Sequence, residues 1–161
     1  MGSKPILRLL FPILLFAAAG NAMAATKPSA AKPDPKLDPA TVVRIQLDAL
    51  AHVDEPVRDA GIAVVFGFST PENQAQTGPF RRFAELVRTA YPEMLNHRAA
   101  ILATTVVRGD HALQGVDLID RAGSVHHYLY ILSRRRQPPY KDCWLTERVL
   151  NNLSAPKRLE T

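Results

Sequence analysis

Residues 66–83, FGFSTPENQAQTGPFRRF, are the stretch that most constrains how this chain can fold. An apolar segment ends at Phe68, and an amphipathic segment begins at Phe80. Between them lies Ser69–Gly78, whose polar residues are mostly uncharged amides and hydroxyls, with a Thr-Pro and a Gly-Pro turn signal near its two ends. This pattern predicts an ordered loop that packs between two elements and hydrogen-bonds them together. It contains no catalytic motif.

The first residues have the pattern of an export signal. Lys4 and Arg8 form a positive region, residues 9–20 are an apolar run, and Ala22–Ala24 places small residues at the −3 and −1 positions of a cleavage site. A membrane-spanning helix needs about 20 apolar residues. The shorter run therefore favours a cleaved signal peptide, residues 1–24, over a retained anchor, and we expect a periplasmic or secreted protein.

The segment after the signal is predicted to be a disordered tether. Residues 25–38 contain three lysines and three prolines but no aromatic residue. Such a composition cannot bury enough apolar surface to offset the entropy of ordering. Residues 39–150 are then a single domain, large enough for a core without disulfides, and residues 151–161 are predicted to be a flexible tail.

The charge balance argues against a nucleic-acid partner. The net charge is +5 and falls to +3 when Lys4 and Arg8 leave with the signal, which is small for a surface that binds nucleic acid. Arg134, Arg135 and Arg136 form the one dense basic cluster of the sequence. They are either a solvated strand end or a contact to an anionic surface.

Cysteine and histidine give no sign of a reactive or metal centre. Cys143 is the single cysteine, and its apolar neighbours favour a buried thiol over a nucleophile, although a base could approach it in space. The histidines are not at ligand spacing. His126 and His127 are adjacent in a predicted strand, so their side chains point to opposite faces. We therefore expect no metal and no cofactor.

Apolar periodicity predicts three helices. The first begins at Asp38–Pro39, an N-cap acid followed by proline. The second covers Val57–Phe68, and the third runs from Pro79 to Tyr91. Gln46 falls within the apolar face of the first helix, where it is either a hydrogen-bonded core amide or a ligand contact.

From residue 99 the pattern alternates with a period of two. Strands are predicted at residues 99–107, 112–120, 124–133 and 143–150, and the short connections imply antiparallel pairing. Three helices followed by such a meander predict an α+β fold, with the helices packed on one face of the sheet.

Three stretches resemble an uncharacterised bacterial and plant family, domain of unknown function 4864. They are residues 39–50 (PATVVRIQLDAL), 61–83 and 130–149, and the PEN and TGP triplets of residues 71–79 are the most specific part. Ser69–Thr70 departs from the Ala-Ser pair expected there. The element order also resembles the cystatin-like, nuclear-transport-factor-2-like cone, in which helices pack on a curved antiparallel sheet. Neither resemblance supplies an activity.

A cone would enclose a cavity, and several polar residues are candidates to bind a ligand in it. On the strands these are Tyr128 and Tyr130 on one face and His127 on the other, with Asp117 as a further acid–base group. In the polar segment, Asn73 and Thr77 either stabilise the turn or contact a ligand.

Two function classes follow from these observations. The first is an exported, non-catalytic binding or interaction module whose partner is an unknown small molecule, an envelope protein or a second copy of the chain. The second is a small hydrolase or isomerase that acts in the cavity. The lack of a catalytic motif in the sequence favours the first class, because function is argued from a site.

The export signal makes a direct prediction about the mature protein. Cleavage after Ala24 should leave a chain that begins at Ala25, because residues 22–24 match the signal-peptidase pattern. Intact-mass measurement of secreted protein checks this. A mass that still includes residues 1–24 would contradict it.

Overall fold

A computed structural model describes residues 31–151. The predicted signal peptide, residues 25–30 of the predicted tether and residues 152–161 of the predicted tail lie outside this range. The helices are α1 (Pro39–Ala51), α2 (Ala60–Gly67), α3 (Pro71–Thr77) and α4 (Phe80–Ala90), followed by a 3-10 helix (Pro92–Met94). The strands are β1 (Ala99–Leu102), β2 (Val106–Arg108), β3 (His111–Ile119), β4 (Val125–Arg134) and β5 (Trp144–Asn151). None of the helices within this range is both long enough and apolar enough to cross a membrane.

The first helix begins where its cap predicts. The Asp38 carboxylate accepts a hydrogen bond from the Thr41 amide at 2.7 Å, and Pro39 occupies the first turn. The second helix begins at Ala60 and not at Val57 as predicted. Asp59 has a left-handed φ of 63°, which a right-handed helix cannot include, so α2 starts only after it.

The prediction of a loop over Ser69–Gly78 was wrong, because Pro71–Thr77 is the helix α3. The Thr70 hydroxyl accepts a hydrogen bond from the Asn73 amide at 3.1 Å, which is an N-cap, and Gly78 ends the helix with a φ of 87°. The helix buries none of its residues fully. It therefore lacks the apolar stripe by which a helix is identified in a sequence.

The strands form one antiparallel sheet in which β3 pairs with β4 and β4 pairs with β5. The predicted strand over residues 99–107 is interrupted, since β1 and β2 pair separately with β3. The fully buried Gln114 side chain accounts for the break. Its amide nitrogen donates to the Ala103 carbonyl at 2.6 Å, and its oxygen accepts from the Thr105 hydroxyl. A buried amide needs these partners.

The core lies between the helices and one face of the sheet. Phe83 is buried there, as predicted from its position in the apolar stripe of α4. The centroid of its ring lies 5.1 Å from the centroid of the Phe66 ring. On β4, Tyr128, Tyr130 and Leu132 share the buried face. The α+β class is confirmed, with helices on one side of an open sheet. Closure of that sheet into a cone stays a prediction.

Gly61 is the point of closest approach between α1 and α2. A Cβ atom at this position would lie 2.1 Å from the Ala49 carbonyl oxygen. The Gly61 amide donates to the Val53 carbonyl at 2.9 Å. No side chain fits between the two backbones, so this packing requires glycine.

Substitution of the two glycines of α2 should have opposite effects. Gly61→Ala forces a methyl group against backbone and should lower the free energy of unfolding by about 1–3 kcal/mol. Gly67→Ala is the matched control, because no atom lies within 4 Å of its Cβ position; it should raise stability by about 0.5–1 kcal/mol. Urea denaturation measures both. Equal effects of the two substitutions would refute the close approach.

Candidate functional site

A cleft of about 590 Å³ lies between α3, α4 and β5. Its polar side is formed by α3 and by Glu147 and Arg148 of β5, while α4 contributes Phe83, Leu86 and Val87. The inner lining includes Leu50, Val65, Met94 and Tyr130. All four of these inner residues are buried. The cleft thus combines an apolar floor with a polar rim.

The outer edge of β5 borders this cleft, and main-chain hydrogen bonds cover its first part. The Thr146 amide donates to the Phe68 carbonyl at 2.8 Å, and the Thr70 amide donates to the Thr146 carbonyl at 2.9 Å. The segment between α2 and α3 therefore forms a short parallel bridge, Ser69 to Thr146, beside β5.

Side chains cover the next part of the same edge. The Asn73 side-chain amide donates to the Glu147 carbonyl at 2.8 Å, and the Tyr91 hydroxyl donates to the Val149 carbonyl at 3.1 Å. Such caps satisfy the polar groups that an edge strand leaves unpaired. The Thr77 hydroxyl donates to the Asn73 carbonyl at 2.9 Å within α3. Asn73 and Thr77 thus both line the cleft and stabilise its wall.

The predicted ligand-binding residues of strand β4 lie in different parts of the structure. Tyr130 lines the cleft, whereas Tyr128 is buried outside the cleft lining. His127 lies on the opposite, open face of the sheet, where its Nδ1 is 2.7 Å from an Asp117 carboxylate oxygen. Of the five residues proposed from the sequence, the structure brings together Asn73, Thr77 and Tyr130, and it leaves Tyr128 and His127 outside.

Several residues that line the cleft were not predicted from the sequence to do so. Leu86 is 42 % exposed at the edge of the α4 stripe. Tyr91 was predicted as the last residue of the apolar stripe of the third helix, at the helix end before Pro92. Arg135 reaches across to α3, where its guanidinium donates to the Glu72 carboxylate at 2.7 Å. Only the exposed leucine within an otherwise clean amphipathic helix was a local signal.

Two ionisable groups of the cleft lining, Glu72 and Tyr130, have shifted pKa values. A hydrogen bond from its own backbone amide, followed by that from Arg135, lowers the pKa of Glu72, so the carboxylate is ionised at neutral pH. Burial raises the pKa of the Tyr130 phenol, which is therefore neutral. Burial, helped by the charge of Glu93, also raises the pKa of Tyr128 to about 12.

Each arginine of the basic cluster, Arg134–Arg136, forms an ion pair with a carboxylate. Arg134 lies 3.5 Å from an Asp142 oxygen, Arg135 contacts Glu72, and Arg136 contacts the Asp110 carboxylate. These contacts agree with a solvated strand end. Binding of an anionic surface by the three arginines stays a prediction.

Cys143 is buried just before β5, and burial raises the pKa of its thiol. A thiol with a raised pKa is a poor nucleophile at neutral pH. Within residues 31–151 no group of three or more histidine, cysteine, aspartate or glutamate residues is arranged to hold a metal ion.

The family model described as Domain of unknown function (DUF4864) matches residues 34–146. The chain belongs to this family. The match covers α1 through the start of β5, so it confirms the resemblance inferred from the sequence. No curated protein and no solved structure matches the chain significantly. In this DUF4864 protein, the three predicted residues that line the cleft all fall within the matched region.

Asn73 should act as a latch between α3 and β5. Asn73→Ala removes the hydrogen bond to the Glu147 carbonyl and should lower the free energy of unfolding by about 0.5–1.5 kcal/mol. Gln76→Ala is the control, because Gln76 lies on the same helix, is exposed, and makes no side-chain hydrogen bond to a described residue; it should change stability by less than about 0.5 kcal/mol. An unchanged denaturation midpoint for Asn73→Ala would argue against the latch.

Proposed function

We propose that this protein is an exported, non-catalytic binding module whose small-molecule ligand occupies the cleft beside β5. The observation that carries the proposal is the cleft itself. Its volume of about 590 Å³ lies in the range of about 300–1,000 Å³ found for small-molecule sites. Such sites combine apolar contact area with placed polar groups, and this lining contains both, with polar and apolar residues in about equal number.

The apolar side of the cleft supplies the contact area that a ligand would bury. Phe83 and Val87 present the buried stripe of α4, and Leu86 extends it to the mouth. A leucine that is 42 % exposed in such a position would lose apolar surface to a bound molecule. Each square ångström of apolar surface removed from water contributes about 25 cal/mol.

The chemistry of the described lining residues favours binding over catalysis. General acid–base catalysis works best with a group whose pKa lies near the operating pH. The pKa of Glu72 is lowered and that of Tyr130 is raised, so both move away from neutrality. The lining contains neither histidine nor cysteine among the residues that the structure describes. A hydrolase or isomerase works best with an acid–base group whose pKa lies near neutrality, and neither Glu72 nor Tyr130 is such a group.

The proposed location depends on the N-terminal segment. Residues 1–24 have the pattern of a cleavable signal, which supports a periplasmic or secreted protein. The open sheet face offers an alternative surface, for an envelope protein or a second copy of the chain. It exposes Ile101, Leu113 and Val125. The experiment below separates the two surfaces.

Two leucines of nearly equal exposure, one on each surface, provide matched substitutions for the cleft and for the open sheet face. Leu86 lies at the cleft mouth and is 42 % exposed, while Leu113 lies on β3 and is 41 % exposed. Native mass spectrometry of the secreted protein would report any co-purified molecule and the oligomeric state. Leu86→Arg should abolish the bound small molecule, because a charge would replace apolar contact area, and Leu113→Arg should leave it.

The opposite pattern would overturn the proposal. Loss of a bound partner or of a dimer by Leu113→Arg alone would assign the function to the open sheet face. Retention of a bound small molecule by Leu86→Arg would show that the cleft is not the binding site. Circular dichroism of both variants controls for folding.

A further inference from the structure

Tyr130 is a buried residue of the inner cleft lining, at 1 % exposure. No hydrogen bond joins its hydroxyl to a residue in the described range. A tyrosine with a buried ring usually finds a hydrogen-bond partner for its hydroxyl, and a ligand in the cleft can supply one.

The other buried hydroxyl groups of the cleft lining are already paired. Ser69 donates to the Val65 carbonyl at 3.0 Å, Thr70 accepts from the Asn73 amide, and Thr146 bonds with Gln46. The half-buried Tyr91 donates to the Val149 carbonyl. Among the buried residues with a hydroxyl group in the described lining, Tyr130 is therefore the one whose hydroxyl makes no hydrogen bond to a described residue.

We propose that the ligand of the cleft has an apolar body and an uncharged hydrogen-bond acceptor, such as a ketone, ester or amide carbonyl, at its inner end. The Tyr130 hydroxyl donates to this acceptor. The inference rests on the proposed function, because it names the ligand class of the same cleft.

The surroundings of Tyr130 select an uncharged acceptor. Leu50, Val65 and Met94 line the inner cleft with it, and a carboxylate placed among them without a cation would pay a large desolvation penalty. Of the two arginines in the lining, Arg135 donates to Glu72 and Arg148 is exposed, away from the buried inner residues. Burial also keeps the Tyr130 phenol protonated, so it remains a donor at neutral pH.

The same hydroxyl selects against a wholly apolar ligand. Water can accept a hydrogen bond from Tyr130 in the free protein, and a ligand that displaces this water without an acceptor leaves the phenol unpaired. An acceptor at the inner end avoids that penalty. Apolar contact then contributes affinity, while the carbonyl contributes selectivity.

Three probes of similar shape test the ligand class on the mature protein by isothermal titration calorimetry. They are benzylacetone, which has a ketone, hydrocinnamate, which has a carboxylate, and butylbenzene, which has neither. Benzylacetone should bind most tightly. Tyr130→Phe removes only the hydroxyl and should weaken benzylacetone binding about 2- to 13-fold, the factor expected for one hydrogen bond. It should not weaken binding of butylbenzene.

Tyr128→Phe is the matched control, because Tyr128 is a buried tyrosine on the same face of β4 that does not line the cleft. It should leave the affinity for every probe unchanged. Tighter binding of hydrocinnamate or butylbenzene than of benzylacetone, or equal effects of Tyr130→Phe on the ketone and the hydrocarbon, would overturn the ligand class while leaving the cleft as a binding site. If none of the probes binds the wild-type protein, the ligand class fails, and the proposed function is decided separately by native mass spectrometry of the Leu86→Arg and Leu113→Arg variants.

Discussion

Thr146 on the edge strand β5 holds the helical layer and the sheet together. Its main chain bonds with Phe68 and Thr70, at the junction of α2 and α3, and its hydroxyl lies 3.0 Å from the Gln46 amide nitrogen of α1. Gln46 is fully buried, so its amide must be satisfied inside the core. Pairing all of these groups at once restricts where α1, the α2–α3 junction and β5 can lie relative to one another. The fold is therefore specified by polar contacts at one end of the core as well as by apolar packing.

The cleft follows from how the rest of that strand edge is covered. Beyond Thr146 the edge is capped by the side chains of Asn73 and Tyr91, and no further strand of residues 31–151 pairs with it. A neighbouring strand would have filled the space beside β5, whereas two side-chain caps leave room next to Glu147 and Val149. The same contacts thus protect the edge from association and border the candidate binding site, which couples the stability of this region to its function.

Sequence signals within a few adjacent residues predicted most of the helices and strands. They missed α3, which has no buried face. The cap at Asp38 and the apolar stripe around Phe83 were sufficient for α1 and α4, because both signals lie within a few adjacent turns. The helix α3 was missed because it has no apolar stripe, although its Thr-Pro start is an ordinary helix signal. The break between β1 and β2 was missed because it depends on Gln114, which belongs to another strand.

The sequence by itself determined the α+β class, the family and the burial of Cys143, since each depends on periodicity, composition or motifs along the chain. It divided the residues of β4 between two faces, and the structure decided which face is buried. The tertiary structure decided which polar residues meet. Asn73 contacts a carbonyl 74 residues away, and Gln46 contacts Thr146 at a separation of 100 residues. Strand alternation separates His127 from Tyr130, but only the packing of α3 and α4 against β5 brings Tyr130 into one cleft with Asn73. Contacts at such separations depend on how whole elements pack, and no local pattern encodes that arrangement.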